Sequence, residues 1–434
     1  MSFIDVPEDH DFSYYNLPYG IFSTINLPKR RPGVAIGDYV LDLFEVKHFF
    51  TGPLMRDVAA EVFNQQTLND FMALTPDHWR ETREFLKALL SKDTPFLRDD
   101  KELRTGYLHP MKDVEMHIPV RIGDYTDFYA SIDHATNIGL MMRGKGNELM
   151  PNYRHLPVGY HGRASSIIVS GTPVARPSGQ SCPPNSDTPI FGPSKALDFE
   201  LEMGCFIGGK TNMVGQPIRM SDAEKNLFGL VLLNDWSARD VQRWEYQPLG
   251  PFLSKNFATT ISPWIVTFDA LNEFKIKNHE QDPTPLPYLQ HSDPFNFDIN
   301  LEVDYKPSQL CEAKTICRSN FKYLYWTAKQ MLVHHTVTGC NVNPGDLFGT
   351  GTISGQEQGT YGSMMELAWK GTKPVEFGDG ITRTYIEDGD EVIMRGYCQG
   401  NGYRVGFGQC SGLVLPSKLL QSRPSIVITE SKSE

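Results

Sequence analysis

The stretch Ala196-Leu-Asp-Phe-Glu-Leu-Glu-Met203 alternates between apolar and acidic side chains from its second residue onward. Alternation of this kind predicts a β-strand, because successive side chains of a strand point to opposite faces. One face would be apolar, and the other would carry the carboxylates of Asp198, Glu200 and Glu202. Similar strand-like runs, separated by Gly, Pro, Asn and Asp, recur beyond residue 118. They predict a mainly β (α+β) fold, either a sandwich, a roll or a barrel, and not a doubly wound sheet.

The first 118 residues follow a different pattern. Short strand-like runs broken by turns come first, and two helical patterns follow. One covers residues 56–74; the other opens at Thr75-Pro76-Asp77, a polar cap followed by proline at the first helical position. Residues 110–119 are typical of a connector. At about 150 residues per domain, we expect an N-terminal domain over residues 1–118 and a C-terminal domain over residues 119–434.

Three local patterns lie in the C-terminal part. An apolar stripe predicts a helix over residues 321–337. The sequence Ser221-Asp222-Ala223-Glu224 matches a capping box and predicts a single helical turn. The proline-rich residues 176–193 are typical of a long surface loop.

The composition excludes several functional classes. Subtracting 52 acidic from 41 basic side chains gives a net charge of −11, which argues against a broad surface for nucleic acid or an anionic membrane. The N-terminus does not resemble a signal peptide, and we expect no membrane span because no apolar run reaches about 18 residues. The seven cysteines form no Cys-x-x-Cys pair, which indicates reduced thiols in a cytoplasmic (cytosolic) protein and not a zinc-thiolate site.

Carboxylates two residues apart on one strand face, such as Glu200 and Glu202, suit a divalent cation. At a rise of about 3.3 Å per residue their Cβ atoms lie about 7 Å apart, and Mg²⁺ or Ca²⁺ would relieve their repulsion. A solvent-facing polar strand is the alternative, and for this motif alone it is the commoner arrangement. Asp235 ends an apolar run before a short helix, so it fits either a ligand position or an N-cap.

Other residues suit acid–base chemistry and anion binding. His134 lies in an aromatic–polar cluster, and histidine titrates near neutral pH. Arg239 and Gln242, spaced i and i+3, would project from one side of a helix and offer donors to an oxyanion. Arg143 and Tyr160 can bind a carboxylate. For each group, an ordinary structural or surface role is the alternative.

The glycine-rich residues 345–355 do not match a nucleotide-binding motif. They contain neither GxGxxG followed by a helix nor GxxxxGK[ST]. A corner that brings the backbone near a small ligand is the better interpretation. The chain also lacks GxSxG, which disfavours a serine hydrolase.

Eight motifs, taken together and in order, indicate a known family. They are Asp124-Tyr-Thr-Asp127-Phe-Tyr129, His134-Ala-Thr-Asn, Leu156-Pro-Val-Gly-Tyr-His-Gly-Arg-Ala-Ser-Ser166, Asp198-Phe-Glu-Leu-Glu202, Asn234-Asp-Trp-Ser-Ala-Arg-Asp240, Pro248-Leu-Gly-Pro-Phe-Leu253 leading to Lys255, Gly351-Thr-Ile-Ser-Gly355 and Trp369-Lys-Gly-Thr372. On these motifs the chain resembles the fumarylacetoacetate hydrolase family almost from end to end. Residues 208–218, residues 281–294 and the tail beyond Lys418 match less well.

The resemblance implies a small N-terminal SH3-like barrel, then a mixed β-sandwich roll that carries the active site, and a homodimer. The implied reaction hydrolyses the carbon–carbon bond of 4-fumarylacetoacetate, a small diketo-diacid, to fumarate and acetoacetate. This is the last step of tyrosine and phenylalanine catabolism. A His–Glu dyad would activate the water. The implied cofactor is Ca²⁺ or Mg²⁺, between which the sequence does not choose.

The same resemblance implies roles for individual residues. The metal carboxylates would be Asp127, Glu200, Glu202 and Asp235. Positions at a second, structural cation are matched by Lys255 and Thr259. The general base would be His134, with Glu366 as its partner, and the donors to the leaving carbanion would be Arg239, Gln242 and Lys255. The substrate-binding set would be Tyr129, Arg143, Tyr160, Gln242, Tyr246 and Thr352.

Two alternatives remain open from the sequence. One is another member of the wider superfamily, such as an acylpyruvate hydrolase or a decarboxylase of a related diacid, which would share the metal carboxylates. The other is a catalytically silent binding or scaffold protein on the same fold. An assay of fumarylacetoacetate against acylpyruvates would separate the first, and absent turnover with metal supplied would favour the second.

Overall fold

A five-stranded antiparallel sheet forms the N-terminal region of this computed structural model, which describes residues 1–418. In spatial order its strands are Leu108–Pro110, Tyr39–Asp42, Arg31–Ile36, Tyr19–Thr24 and Val114–His117. The helices of this region are Leu43–Val46, Ala59–Val62, Asn69–Met72, Pro76–Leu90, Pro95–Asp99 and Lys101–Tyr107. The C-terminal tail noted above lies outside the described residues.

Of the two predicted N-terminal helices, one is confirmed and one is wrong. Pro76–Leu90 is helical, with Thr75 at the N-cap and proline in the first turn. Residues 56–74 instead form two short helices, Ala59–Val62 and Asn69–Met72. The polar run 64–67 between them offers no apolar side chain to continue the buried stripe.

A larger sheet lies at the centre of the C-terminal region. In spatial order its strands are Gly159–His161, Tyr125–Phe128, Leu347–Gly349, Leu201–Ile207, Leu227–Asp235, Thr259–Ile261 and Ile167–Val169, with Val266–Thr267 also pairing to Leu227–Asp235. A second, five-stranded sheet contains Lys314–Asn320, Asn300–Lys306, Glu391–Gln399, Arg404–Leu415 and Val174–Ala175. Strands outnumber helices in the described chain, which confirms the predicted strand-rich fold class.

Both faces of the central sheet are covered, and its longest strand shows how. Along Leu227–Asp235, Leu230 and Leu232 belong to the core shared with the second sheet. Val231 and Leu233 belong to the core shared with the N-terminal region. A strand buried on both faces is expected to be a continuous apolar run, and Leu-Val-Leu-Leu at 230–233 is one. The polar residues Asn234 and Asp235 that end this run are therefore buried too.

The remaining elements are short. They include the strand pairs Ser178–Ser181 with Ile190–Pro193, Leu197–Asp198 with Ser237–Ala238, Lys275–Lys277 with Phe295–Phe297, and Val375–Gly378 with Ile381–Arg383. The helices are Ile132–Arg143, Arg239–Glu245, Phe268–Leu271, Ala328–Thr336 and Met364–Leu367. Within residues 1–418, no helix combines the length and the apolar character needed to cross a bilayer.

Three local predictions need correction. The helix expected over 321–337 begins only at Ala328, because Thr327 and Gln330 form a capping box there. The turn near Ser221 forms at Ala223–Asn226 without a side-chain cap hydrogen bond. Residues 176–193 contain the hairpin Ser178–Ser181 with Ile190–Pro193 and are not an irregular loop throughout.

Candidate active site

Four carboxylates converge in the central sheet. Each contributes an oxygen, and these oxygens all lie within 4.8 Å of one another. At most 5% of any of the four residues is exposed. We call this group the acidic cluster; it comprises Asp127, Glu200, Glu202 and Asp235. The solvent-facing alternative for the alternating strand is therefore wrong.

Strand register brings the cluster together. The strand Leu201–Ile207 pairs antiparallel with Leu227–Asp235, and the Asp235 amide donates to the Glu200 carbonyl at 3.3 Å. Asp127 lies opposite Gly349 in a parallel pair. A Cβ at Gly349 would lie 3.0 Å from carboxylate oxygens of both Asp127 and Glu202, closer than nearly all real Cβ contacts. Glycine at this position thus leaves room for the carboxylates.

Neutral and cationic donors occupy one side of the cluster. The Lys255 ammonium donates to Asp235 Oδ2 at 2.7 Å and also to Glu200. Thr259 Oγ1 donates to Asp235 Oδ1 at 3.1 Å, and the Tyr160 hydroxyl donates to Asp235 Oδ2 at 3.3 Å. The implied metal-ligand role of Lys255 and Thr259 stays a prediction. Their side chains here act as hydrogen-bond partners, and a lysine ammonium has no lone pair to give a metal.

Charge in the cluster is only partly compensated. Burial raises the pKa of Asp127 and of Glu202, and neighbouring carboxylates raise both pKa values further. Burial acts the same way on Glu200, but Lys255 and Arg239 outweigh it and hold the pKa of Glu200 below its usual range. Fully ionised, the four carboxylates would carry more negative charge than Lys255 and Arg239 neutralise, so the metal-free cluster favours protonation of Asp127 and Glu202.

Two oxygens of the cluster fit a cation. Asp127 Oδ1 and Glu202 Oε1 are buried and have no hydrogen-bond donor among the described residues. Leaving buried charged acceptors unpaired is costly unless something else binds them. Carboxylate oxygens are the ligands that hard divalent cations prefer, so the donor set fits Mg²⁺ or Ca²⁺.

A second buried group, where His134 meets Glu366, lies beside the cluster, since a β-bridge joins Glu200 to Ser363 and the Ser363 hydroxyl donates to Glu366. His134 Nδ1 and Glu366 Oε2 are 2.7 Å apart. Three more donors hold the Glu366 carboxylate: Asn137 Nδ2 at 2.9 Å to Oε1, and the hydroxyls of Ser354 and Ser363 at 3.0 and 2.8 Å to Oε2. Burial alone would raise the pKa of Glu366, but His134 and these donors lower it below its usual value.

Helix Arg239–Glu245 supplies the predicted anion donors. Arg239 is 9% exposed, and its Nη2 lies 2.7 Å from Glu200 Oε1. Its Nη1 donates to Gln242 Oε1 at 3.1 Å, as the i, i+3 spacing predicts for neighbours on one helix face. Asp235 is the last residue of its strand and not an N-cap, since the helix cap is Ala238.

The structure separates the predicted substrate-binding residues into two groups. Tyr129 packs edge-on against the His134 ring with 5.2 Å between ring centroids, and Thr352 Oγ1 is buried without a donor or acceptor among the described residues. Arg143 instead donates to the carbonyls of Asn147 and Glu148 at the end of its helix. Tyr246 is partly exposed, and its hydroxyl accepts a hydrogen bond from Gln247. Roles in substrate binding stay predictions for all four.

Sequence reasoning missed several partners of the site. The Tyr125 hydroxyl is buried next to the cluster, 3.1 Å from the position a Gly349 Cβ would take. The period of two along a strand could have placed it on the face of Asp127. Asn137 follows His134 by three residues on helix Ile132–Arg143, a spacing that predicts a shared face. Ser354 lies within the motif Gly351-Thr-Ile-Ser-Gly355 but received no role there, and Ser363, which comes from a separate loop, gave no signal.

Comparison with known proteins assigns the family. The model described as "Fumarylacetoacetate (FAA) hydrolase C-terminal" matches residues 125–412, and "Fumarylacetoacetase N-terminal" matches residues 15–119. This chain belongs to the fumarylacetoacetate hydrolase family. The chain is 58% identical to the fumarylacetoacetase of Homo sapiens over 96% of its own length and 100% of the human protein.

More distant relatives agree. The fumarylacetoacetase of Caenorhabditis elegans is 54% identical over 96% of this chain and 100% of that protein, and the one from Arabidopsis thaliana is 53% identical over 96% and 98%. A solved fumarylacetoacetate hydrolase from psychrophilic Exiguobacterium antarcticum matches 92% of this chain and 99% of its own, with a TM-score of 0.52 and 16% identity. At that identity the likeness shows a shared fold.

Proposed function

We propose that this protein hydrolyses the carbon–carbon bond of 4-fumarylacetoacetate to fumarate and acetoacetate, in tyrosine and phenylalanine catabolism. The observation that carries the proposal is the juxtaposition of two buried groups, the acidic cluster and the His134–Glu366 pair. The identity to fumarylacetoacetases over nearly the whole chain supports the choice of substrate.

His134 is the proposed general base. Its Nδ1 is held by Glu366, which fixes the tautomer and leaves Nε2 to take a proton from water. The water oxygen then bonds to the fumaryl carbonyl carbon, and the carbon–carbon bond to the acetoacetate unit breaks. The electron pair leaves on the acetoacetate carbon, which takes up a proton.

Arg239, Gln242 and Lys255 are the proposed donors to the charge that develops on the leaving group. Arg239 and Lys255 are buried, and preorganised donors act most strongly in a site shielded from water. The acidic cluster would hold a divalent cation, Ca²⁺ or Mg²⁺. When bound, that cation would supply Lewis-acid stabilisation of a 1,3-dicarbonyl as it becomes an enolate.

We also propose that the protein is a cytosolic homodimer. The proposed substrate-binding residues are Tyr129, Arg143, Tyr160, Gln242, Tyr246 and Thr352. All seven cysteines, which lie within the described residues, are free thiols, in keeping with a reducing compartment. The family resemblance supports the dimer, and sedimentation equilibrium tests it. The domain division at residues 118 and 119 also stays a proposal; expression of residues 119–434 alone would test whether they fold independently.

The test is an assay of purified protein, loaded with Ca²⁺ or Mg²⁺, on fumarylacetoacetate and on a set of acylpyruvates. We expect fumarate and acetoacetate in equal amounts, and slower turnover of acylpyruvates. His134→Ala tests the base, and His155→Ala, at an exposed histidine outside the cluster and the dyad, is a control for loss of an imidazole. Preference for acylpyruvates would favour a different family activity. No turnover of either substrate would contradict the proposal.

A further inference from the structure

Asp198 is a buried carboxylate that the proposed reaction leaves without a role. It shares the predicted strand face with Glu200 and Glu202, yet it lies outside the acidic cluster. Its strand, Leu197–Asp198, pairs with Ser237–Ala238, and it is 0% exposed. The pairing places Asp198 next to the first turn of the helix that carries Arg239.

The Asp198 carboxylate touches two separate parts of the site. Oδ2 accepts from Arg239 Nε at 2.8 Å. Oδ1 accepts from the Met364 amide at 2.7 Å, and Oδ2 accepts from the Met365 amide at 3.1 Å. These amides open the turn Met364–Leu367, which carries Glu366. All three contacts donate to Asp198, an arrangement that suits an ionised carboxylate.

We propose that Asp198 is a positioning residue that fixes Arg239 and the Glu366 turn relative to each other. Arg239 Nη2 reaches Glu200, and Glu366 holds His134. One carboxylate thus sets the orientation of the donor at the leaving group and of the base at the water. The inference rests on the proposed function and adds a residue to it.

A buried Arg–Asp pair elsewhere in the chain provides the matched control. Asp390 is also 0% exposed, and it accepts from Arg383 Nε at 2.7 Å and from two backbone amides, Ser308 at 2.8 Å and Glu387 at 3.0 Å. In residues 1–418, none of its hydrogen-bond partners is a candidate site residue. Asp390→Asn therefore measures what removing such a pair does to the fold alone.

The first experiment compares kcat and KM for Asp198→Asn and Asp390→Asn. We expect Asp198→Asn to lower kcat by about 10–100-fold, the range found when an outer partner that orients the residues of a metal site is removed, with a smaller change in KM. Asp390→Asn should keep the wild-type kcat at temperatures where it stays folded. In an Arg239→Ala background, Asp198→Asn should cost less than in the wild type, because part of its effect acts through Arg239.

A second pair of variants applies if Asp198→Asn does not fold. Met364→Pro removes the amide that donates to Asp198, and Met364→Ala keeps it while also losing the methionine side chain. Proline is tolerated at the first helical position. We expect a lower kcat for the proline variant than for the alanine variant.

A readout without substrate separates this inference from the proposed function. The Nδ1 proton of His134, assigned by comparison with His134→Ala, should give a downfield NMR resonance that shifts in Asp198→Asn and not in Asp390→Asn. If the wild-type protein shows no turnover, the proposed function is contradicted. The shift of this resonance then still tests the positioning role of Asp198. Equal kcat values for Asp198→Asn and the wild type, or an unshifted resonance, would overturn the positioning role.

Discussion

The acidic cluster and Glu366 are neighbouring buried carboxylates that differ in how fully hydrogen-bond donors compensate their charge. Glu366 has a donor on each oxygen, from His134, Asn137, Ser354 and Ser363, and its pKa is lowered. In the acidic cluster two buried oxygens have no donor among the described residues, and burial and mutual repulsion raise the pKa of Asp127 and Glu202.

The difference in hydrogen bonding indicates a separate role for the acidic cluster and for Glu366. A carboxylate satisfied on all sides holds its partner rigidly, which suits orientation of a base. Buried carboxylates without enough donors destabilise the metal-free protein, and binding of a cation removes this cost.

Glu202→Gln should have the largest effect on activity. Glutamine keeps the shape of the side chain but removes one charge from the cluster, so cation affinity falls, and turnover falls further than for any dyad variant. The apo protein should become more stable, because a neutral amide avoids the burial cost and the repulsion from Asp127, Glu200 and Asp235 that act on the Glu202 carboxylate. Steady-state kinetics and thermal unfolding without metal measure the two effects. An active Glu202→Gln enzyme with unchanged cation affinity would contradict the role of the cluster.

His134→Ala should lower kcat by about 10²–10⁴-fold, the usual contribution of a general base. Cation binding should stay near the wild-type level, because His134 is not part of the cluster. Calorimetric titration of the variant with Ca²⁺ and Mg²⁺ checks the second half. Wild-type turnover in this variant would exclude the base assignment.

Arg239→Lys should lower kcat by about 10²–10³-fold, the typical loss of one preorganised donor. Lysine keeps the charge but loses the planar fork that reaches Asp198, Glu200 and Gln242 at once. Kinetics on fumarylacetoacetate provide the measurement. A variant that raises KM and leaves kcat unchanged would show that Arg239 binds the ground state only.

The pH dependence of stability should distinguish the wild type from Glu366→Gln, and this is the smallest effect expected. The pKa of Glu366 is lowered in the folded protein, so the unfolded state binds its proton first as the pH falls. Glu366 therefore contributes stability above the unfolded pKa, near 4.3 for glutamate, and loses it as the pH falls through the lowered folded value. Melting curves in acid should show a shallower decline for Glu366→Gln; parallel declines would contradict this.

Much of the fold and the composition of the acidic cluster were predictable from sequence, and the exceptions have physical causes. Alternation predicted the strand through Glu202, and the apolar run predicted the one ending at Asp235. The same alternation does not distinguish a solvated strand from a buried one, because the second layer over it comes from distant segments. Asp198 shows what alternation does not predict. The pattern puts it on the same strand face as Glu200 and Glu202, but the pairing of Leu197–Asp198 with Ser237–Ala238 brings its carboxylate to Arg239.

The partners of Glu366 show a second limit. The family resemblance indicated the pair His134 and Glu366, whose Nδ1 and Oε2 atoms are 2.7 Å apart although the residues are 232 apart in sequence. Asn137 follows from helical spacing, whereas Ser354 and Ser363 converge through loop paths that carry no periodic signal. Similarly, the apolar spacing in residues 56–74 fitted a single helix. The polar run at 64–67 offers no apolar side chain to bury, so two short helices form instead.

The most direct test of the central claim is calorimetric titration of metal-free protein with Ca²⁺ and with Mg²⁺, alongside Glu202→Gln and the control Asp390→Asn. We predict one tight site per chain for at least one of the two cations, lost in Glu202→Gln and retained in Asp390→Asn, with turnover rising in proportion to occupancy. No binding of either cation to the wild type, or full turnover in the metal-free protein, would contradict a catalytic cation at the acidic cluster.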